Sequence, residues 1–123
     1  WRQALIDGGL LILSRFPIEG DGALAPAFRE FPRGTGIEAY VAKGILRATL
    51  RVPASGAGDG PDSQLVHVFC LHTNAGAHRV TDNASAMEQI EMAAAFVGEQ
   101  VASARRAGHE EALAVMGGDL NVD

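Results

Sequence analysis

Two apolar runs of strand length in this chain end in the same way, and that repetition constrains the fold more than any bulk property. Val66-His67-Val68-Phe69-Cys70-Leu71 runs straight into His72-Thr73-Asn74. Ala112-Leu113-Ala114-Val115 runs through Met116-Gly117-Gly118 into Asp119-Leu120-Asn121. Short apolar runs bounded by turn residues read as buried strands. In both, a titratable side chain stands at the strand's end with an amide two places on. Residues two apart in extended backbone point to the same side, so Asp119 and Asn121 are expected to converge on one ligand. The glycine pair before them is expected to break the strand, because glycine tolerates backbone angles that other residues resist. A carboxylate there can bind a metal or orient water, and an amide can hold a phosphoryl oxygen. Gly-Asp-x-Asn alone is also a common polar turn, and a lone His is more often structural than catalytic. Two strands ending in the same kind of site are harder to dismiss, because rigid strands that present exposed loops are where catalytic groups concentrate.

Strands dominate the first half. Leu10–Ser14 reads as one, stopped by Phe16-Pro17; Ala27–Pro32 as a short one; Gly44–Val52 as a third. Pro53–Ser63 is a Gly/Pro/Ser/Asp loop, too long for a tight hairpin. Its Asp59 and Asp62 are read as solvated. Gln64–Leu71 is the next strand. One helix follows, with Met87, Ile90, Ala94, Val97, Val101 and Ala104 forming an apolar stripe. Ser85 with Glu88 reads as a capping box at its start and Gly108 as its end. Met87 and Met92 are read as packing residues. Asn83-Ala84-Ser85 is formally a glycosylation acceptor, but it overlaps that helix start and is read as a cap. Strands with a long helix between them predict a mixed α/β architecture.

With 123 residues and 47% apolar content, one globular piece can build a core. No stretch approaches the ~20 apolar residues of a membrane span, and no signal-like segment opens the sequence. The single Cys70 permits no internal disulfide and reads as a buried structural thiol, which leaves the compartment open. Ten basic against 15 acidic residues give a formal net charge of −5, which argues against a nucleic-acid partner. His67, mid-strand, and His109, after the helix, read as structural or solvated, and His78 as a surface residue.

Four segments, in order, carry a resemblance to a known superfamily. They are Gly8-Gly9-Leu10-Leu11-Ile12-Leu13-Ser14-Arg15-Phe16-Pro17-Ile18, Lys43-Gly44-Ile45-Leu46, His72-Thr73-Asn74-Ala75 and Gly117-Gly118-Asp119-Leu120-Asn121-Val122. Together they resemble the endonuclease/exonuclease/phosphatase superfamily, and within it the neutral and bacterial sphingomyelinases. The resemblance implies an α/β fold: a two-sheet β-sandwich flanked by helices in four layers. Residues 1–123 are expected to be the central portion of a single such domain, since complete members extend beyond both ends. The active site would lie where the loops at Lys43, His72 and Asp119 meet.

The implied chemistry is magnesium-dependent hydrolysis of a phosphodiester, with a sphingomyelin-type phospholipid at a membrane surface as substrate. Asp119 would orient or deprotonate the attacking water, with a further role as a metal ligand open to it. Asn121 would bind the phosphoryl oxygen, and His72 would protonate the leaving group or stabilise the transition state. Lys43 would lend positive charge, and Asn74, where the family usually has Gln, a polar contact with substrate. Gln89 fits the family's Gln near the helix start, with Ala86 where a basic residue often stands. Glu38 replaces an Asp, and Ala42 an Asn, of the sphingomyelinase pattern. The family's main metal-binding Glu lies upstream of Trp1 and its Asp-His pair downstream of Asp123, so the chain is expected to hold half a catalytic site. Two other functions fit the same residues: another hydrolase of the superfamily, such as a nuclease or inositol-phosphate phosphatase, or a non-catalytic binding module on this scaffold.

Overall fold

The computed structural model describes residues 6–32, 40–53, 63–75 and 80–121, with backbone alone at 6–7 and 80–84. Strands β4 (Gly44–Pro53) and β5 (Ser63–His72) form the central antiparallel ladder, in register from Gly44↔His72 to Pro53↔Ser63. β2 (Ala27–Glu30) pairs antiparallel with the start of β4, and β6 (Leu113–Asp119) pairs parallel with β5. The sheet order is β2-β4-β5-β6, with a separate two-residue parallel pair of β1 (Ile6–Asp7) and β3 (Val41–Ala42). A parallel neighbour cannot be reached by a hairpin; the 27-residue helix α1 (Val80–Arg106) supplies the crossover from β5 to β6. The protein is thus α/β, a mixed four-stranded sheet with one helix, consistent with part of a sandwich.

Alternation along the strands sorts side chains onto two faces. Phe31, Ile45, Phe69, Leu71, Ala93 and Phe96 form the core on the α1 face, with Ala27, Met92 and Val97 packed against it. Phe69 meets Phe96 edge-to-face, ring centroids 6.2 Å apart. On the other face Leu46, Leu50, Val66, Val68 and Cys70 are half-buried, while Phe28, Leu113 and Val115 are exposed. An apolar open face is what a second sheet packs against in a sandwich.

Several elements differ from the sequence reading. Leu10–Ser14 belongs to neither sheet, and Leu11 and Leu13 are exposed. A strand needs a hydrogen-bonded neighbour, and the edge of β4 is taken further along the chain. Glu19 N–H donates to Thr49 O (2.8 Å) and Arg51 N–H to Pro17 O (3.0 Å), around an Ile18↔Leu50 bridge. The glycine pair does not break β6: Gly117 and Gly118 pair with Cys70 and Leu71 inside it. β6 itself is exposed along its length, because it is the edge strand and α1 packs over its neighbours. Cys70 is half-buried on the open face. Strands close at Pro53 and reopen at Ser63; Asp59 and Asp62 between them, like Glu38 and His78, lie outside the described residues.

The helix starts at Val80, so Ser85 and Glu88 are inside it and cap nothing, and Asn83-Ala84-Ser85 is within the helix too. Its buried face is Ala86, Gln89, Ala93, Phe96 and Ala104, which shares Ala104 with the expected stripe but is rotated from it: Met87 is 52% exposed, Ala94 is exposed, and Ile90, Val97 and Val101 are half-buried. Tertiary anchors set this rotation. Small Ala86 and Ala93 let the helix lie close to the sheet, Phe96 seats on Phe69, and Arg29 of β2 holds Glu99 with two hydrogen bonds (2.6 and 3.3 Å) while lying over the Phe96 ring. The helix ends as expected. Gly108 has φ +90°, Gly108 N–H donates to Arg105 O (2.9 Å) and His109 N–H to Ala104 O (3.0 Å), the two bonds of a Schellman motif.

Candidate active site

The last register pair of the parallel ladder is His72↔Asp119. Partners in register share a face, so both side chains leave the sheet on the side away from α1, at the carboxyl ends of β5 and β6. His72 Nε2 stands 4.0 Å from Asp119 Oδ2, with the two side chains 29% and 65% exposed. His72 Nδ1 lies 2.7 Å from Gly8 O. A carbonyl oxygen only accepts, so Nδ1 carries the hydrogen and Nε2 is the nitrogen that gains or loses a proton. Asn121 reaches the same place, but not by strand alternation. Its φ is +47°, its N–H donates to Asp119 Oδ1 (3.0 Å), and its Nδ2 donates to Thr73 O (2.9 Å).

Lys43 and Asn74 are buried. Lys43 is 5% exposed and its Nζ donates to Thr73 O (2.9 Å). Asn74 is 6% exposed; its N–H donates to Gln89 Oε1 (2.8 Å), and its Nδ2 has no partner among the described residues. Gln89 Nε2 in turn donates to Pro32 O (3.1 Å). Lys43 and Gln89 hold the His72-Thr73-Asn74 turn from beneath, while His72, Asp119 and Asn121 face out.

Thr73 and Gly8 are the site residues that sequence reasoning missed. The signal for Thr73 was available: His67, Phe69 and Leu71 share the buried face, and Thr73 is next in that series, 0% exposed. Nothing in the sequence pairs Gly8 with His72, since that contact joins residues 64 apart.

His67 fills a structural place, as expected. His67 is fully buried, shares a 2.9 Å hydrogen bond with Thr49 Oγ1, and has its pKa lowered by burial and by the nearby Arg47 and His109. Arg47 is 2% exposed and donates to the carbonyls of Ala23 and Ala25; burial lowers its pKa too. A cavity of about 550 Å³ lined by residues including Ser63, Gln64, His109 and Glu110 lies at the start of β5, at the opposite end from His72.

For a hard divalent cation, the described residues offer Asp119 carboxylate and Asn121 amide oxygens, the donor chemistry magnesium takes. They fit in kind and are incomplete in number: no group of three or more His, Cys, Asp or Glu among the described residues could hold a metal ion.

No family model matches the chain. It is similar to sphingomyelin phosphodiesterase 5 of Danio rerio, 30% identical over 117 residues, 95% of this chain and 19% of that protein. It is also similar to the crystal structure of SmcL, with a TM-score of 0.68 and 25% identity, covering 98% of this chain and 36% of that one. The chain therefore spans well under half the length of either. No helix among the described residues is long and apolar enough to cross a membrane. With its mixed sheet, its crossover helix and its match to these two proteins over nearly its whole length, the chain is a sphingomyelinase-like partial chain.

Proposed function

We propose that the protein containing this chain is a magnesium-dependent phosphodiesterase acting on a sphingomyelin-type phospholipid at a membrane surface, and that residues 1–123 form the central portion of its catalytic domain. The observation that carries the reading is the placement of His72 Nε2 and the Asp119 carboxylate 4.0 Å apart at the carboxyl ends of adjacent parallel strands. The similarity to a sphingomyelin phosphodiesterase of Danio rerio supports the substrate class.

His72 holds one proton on Nδ1 against Gly8 O, so its Nε2 can hand a proton to the leaving oxygen. Asp119, open to solvent, accepts a hydrogen bond from the attacking water. Asn121 has one Nδ2 hydrogen committed to Thr73 O and a second for a phosphoryl oxygen. Lys43 acts from below, its ammonium polarising the Thr73 carbonyl that holds Asn121. Magnesium, when bound, would relieve charge at phosphorus, with Asp119 among its oxygen ligands.

The test uses the full-length protein. Phosphodiester hydrolysis is expected to vanish in excess chelator and return with magnesium. His72→Ala and Asp119→Ala are each expected to lower turnover by ~10²-fold or more, while the melting temperature stays near wild type, because both side chains project from strand ends and leave no large cavity. Full activity in chelator would sink the metal dependence. Variants that lose stability but keep specific activity would retire the catalytic assignment of His72 and Asp119.

A further inference from the structure

We propose that the hydroxyl of Thr73 is a positioning group for this site, fixing Asp119 and Asn121 relative to His72. The proposal rests on the catalytic reading above. It starts from a single residue that bonds three successive residues of the opposite loop. Thr73 N–H donates to Asp119 O (3.0 Å), Thr73 Oγ1 donates to Leu120 O, and Thr73 O accepts from Asn121 Nδ2 (2.9 Å). Its carbonyl also accepts from Lys43 Nζ (2.9 Å), and the residue is fully buried.

The hydroxyl bond sits where the strand leaves its ladder. Thr73 N–H to Asp119 O is a regular parallel ladder bond, and one further step would take Asn121 N–H to Thr73 O. That step is not taken. Asn121 turns left-handed, its N–H folds back onto Asp119 Oδ1, and its side-chain amide takes the ladder position instead. The Leu120 carbonyl is left to Thr73 Oγ1. The hydroxyl therefore grips the peptide between the two outward-facing residues. Without it, β6 is free to continue straight, which would rotate Asn121 and release Asp119 Oδ1. The rival role is purely structural, in which the hydroxyl only satisfies a buried carbonyl and its loss changes stability alone.

Thr73→Val keeps the shape and removes the donor; Thr73→Ser keeps the donor and removes a methyl. The measurement is kcat, KM and melting temperature of wild type and both variants, as full-length protein with magnesium and sphingomyelin in detergent micelles. Val is expected to lower kcat by at least about tenfold with KM within about twofold, the pattern of misplaced catalytic groups. Ser is expected to keep kcat within about threefold of wild type whatever it loses in melting temperature. If the Val protein does not fold, Thr73→Ala takes its place with the same expectation. An unchanged kcat in the donor-free variant, or an equal loss in Ser, overturns the positioning role while the catalytic reading stands. A wild-type protein with no phosphodiesterase activity removes the catalytic reading, and the positioning role with it.

Discussion

At the scale of single residues, the face on which a side chain lies decides its role. His72 and His67 are five apart on one strand and leave it on opposite faces, one towards solvent and one under α1. His67 carries a pH dependence. Its pKa is lowered from 6.5 in the folded protein, first by burial and then by Arg47 and His109. Above about pH 6.5 it is neutral folded or unfolded and contributes no slope. As pH falls below that value the unfolded chain takes up the proton first, so stability declines until the folded pKa is passed and then levels. The full-length protein is expected to lose melting temperature between pH 7 and pH 5 by an amount that His67→Gln reduces, since Gln can keep the Thr49 contact without titrating. Thermal melts of both proteins across that range check this; parallel curves would show that other groups set the acid sensitivity.

At the scale of elements, the β5–β6 pairing sets the distance between His72 and Asp119, and Gly118 sets how closely the strands meet. Gly118 has φ +148°, and a Cβ there would run into the Leu71 carbonyl. Gly117, one residue before, has open space around its would-be Cβ. Gly118→Ala is expected to destabilise by about 2 kcal/mol or more through strain and overpacking, and to lower turnover because β6 is pushed away from β5. Gly117→Ala is expected to change stability by less than about 1 kcal/mol. Denaturant unfolding and turnover on the two variants separate these outcomes, and equal effects would show that the close approach is not what matters. On the other side of the sheet, Arg29 holds the Glu99 carboxyl below the usual carboxylate range by hydrogen bonding, but the pair is exposed and orients α1 more than it stabilises it.

At the scale of the whole molecule, the sheet has one covered and one open face. Leu113, Val115 and Phe28, all about half-exposed, lie with Val68 and Leu50 on the face away from α1. Exposed contiguous apolar surface and an unpaired edge strand favour association. Residues 1–123 expressed alone are expected to fold poorly, to self-associate and to show no measurable phosphodiesterase activity. Size-exclusion chromatography, thermal melting and turnover check this, and a monomer with a sharp cooperative melt and near-native turnover would contradict it.

Reading along the chain is enough to find the strand β4, the strand β5, the β-strand character of β6, the helix end at Gly108, and His72 and Asp119 as strand-end groups. Those signals are local: apolar runs, a glycine at a left-handed stop, polar residues where a run ends. The tertiary structure decided the rest, because those features depend on what lies across space. Leu10–Ser14 has strand composition, but it is Pro17–Glu19 that takes the edge of β4. The rotation of α1 was set by Phe96 on Phe69 and by Gln89 beneath Asn74, against the simpler stripe through Met87. Lys43 belongs to a motif of the site yet supports it from below, and Asn74 is held by Gln89 through its backbone. Asn121 faces the site through a left-handed turn gripped by Thr73, where strand periodicity alone had put it there for another reason. Periodicity tells which residues share a face; only packing and hydrogen bonding between distant segments tell which face is inside.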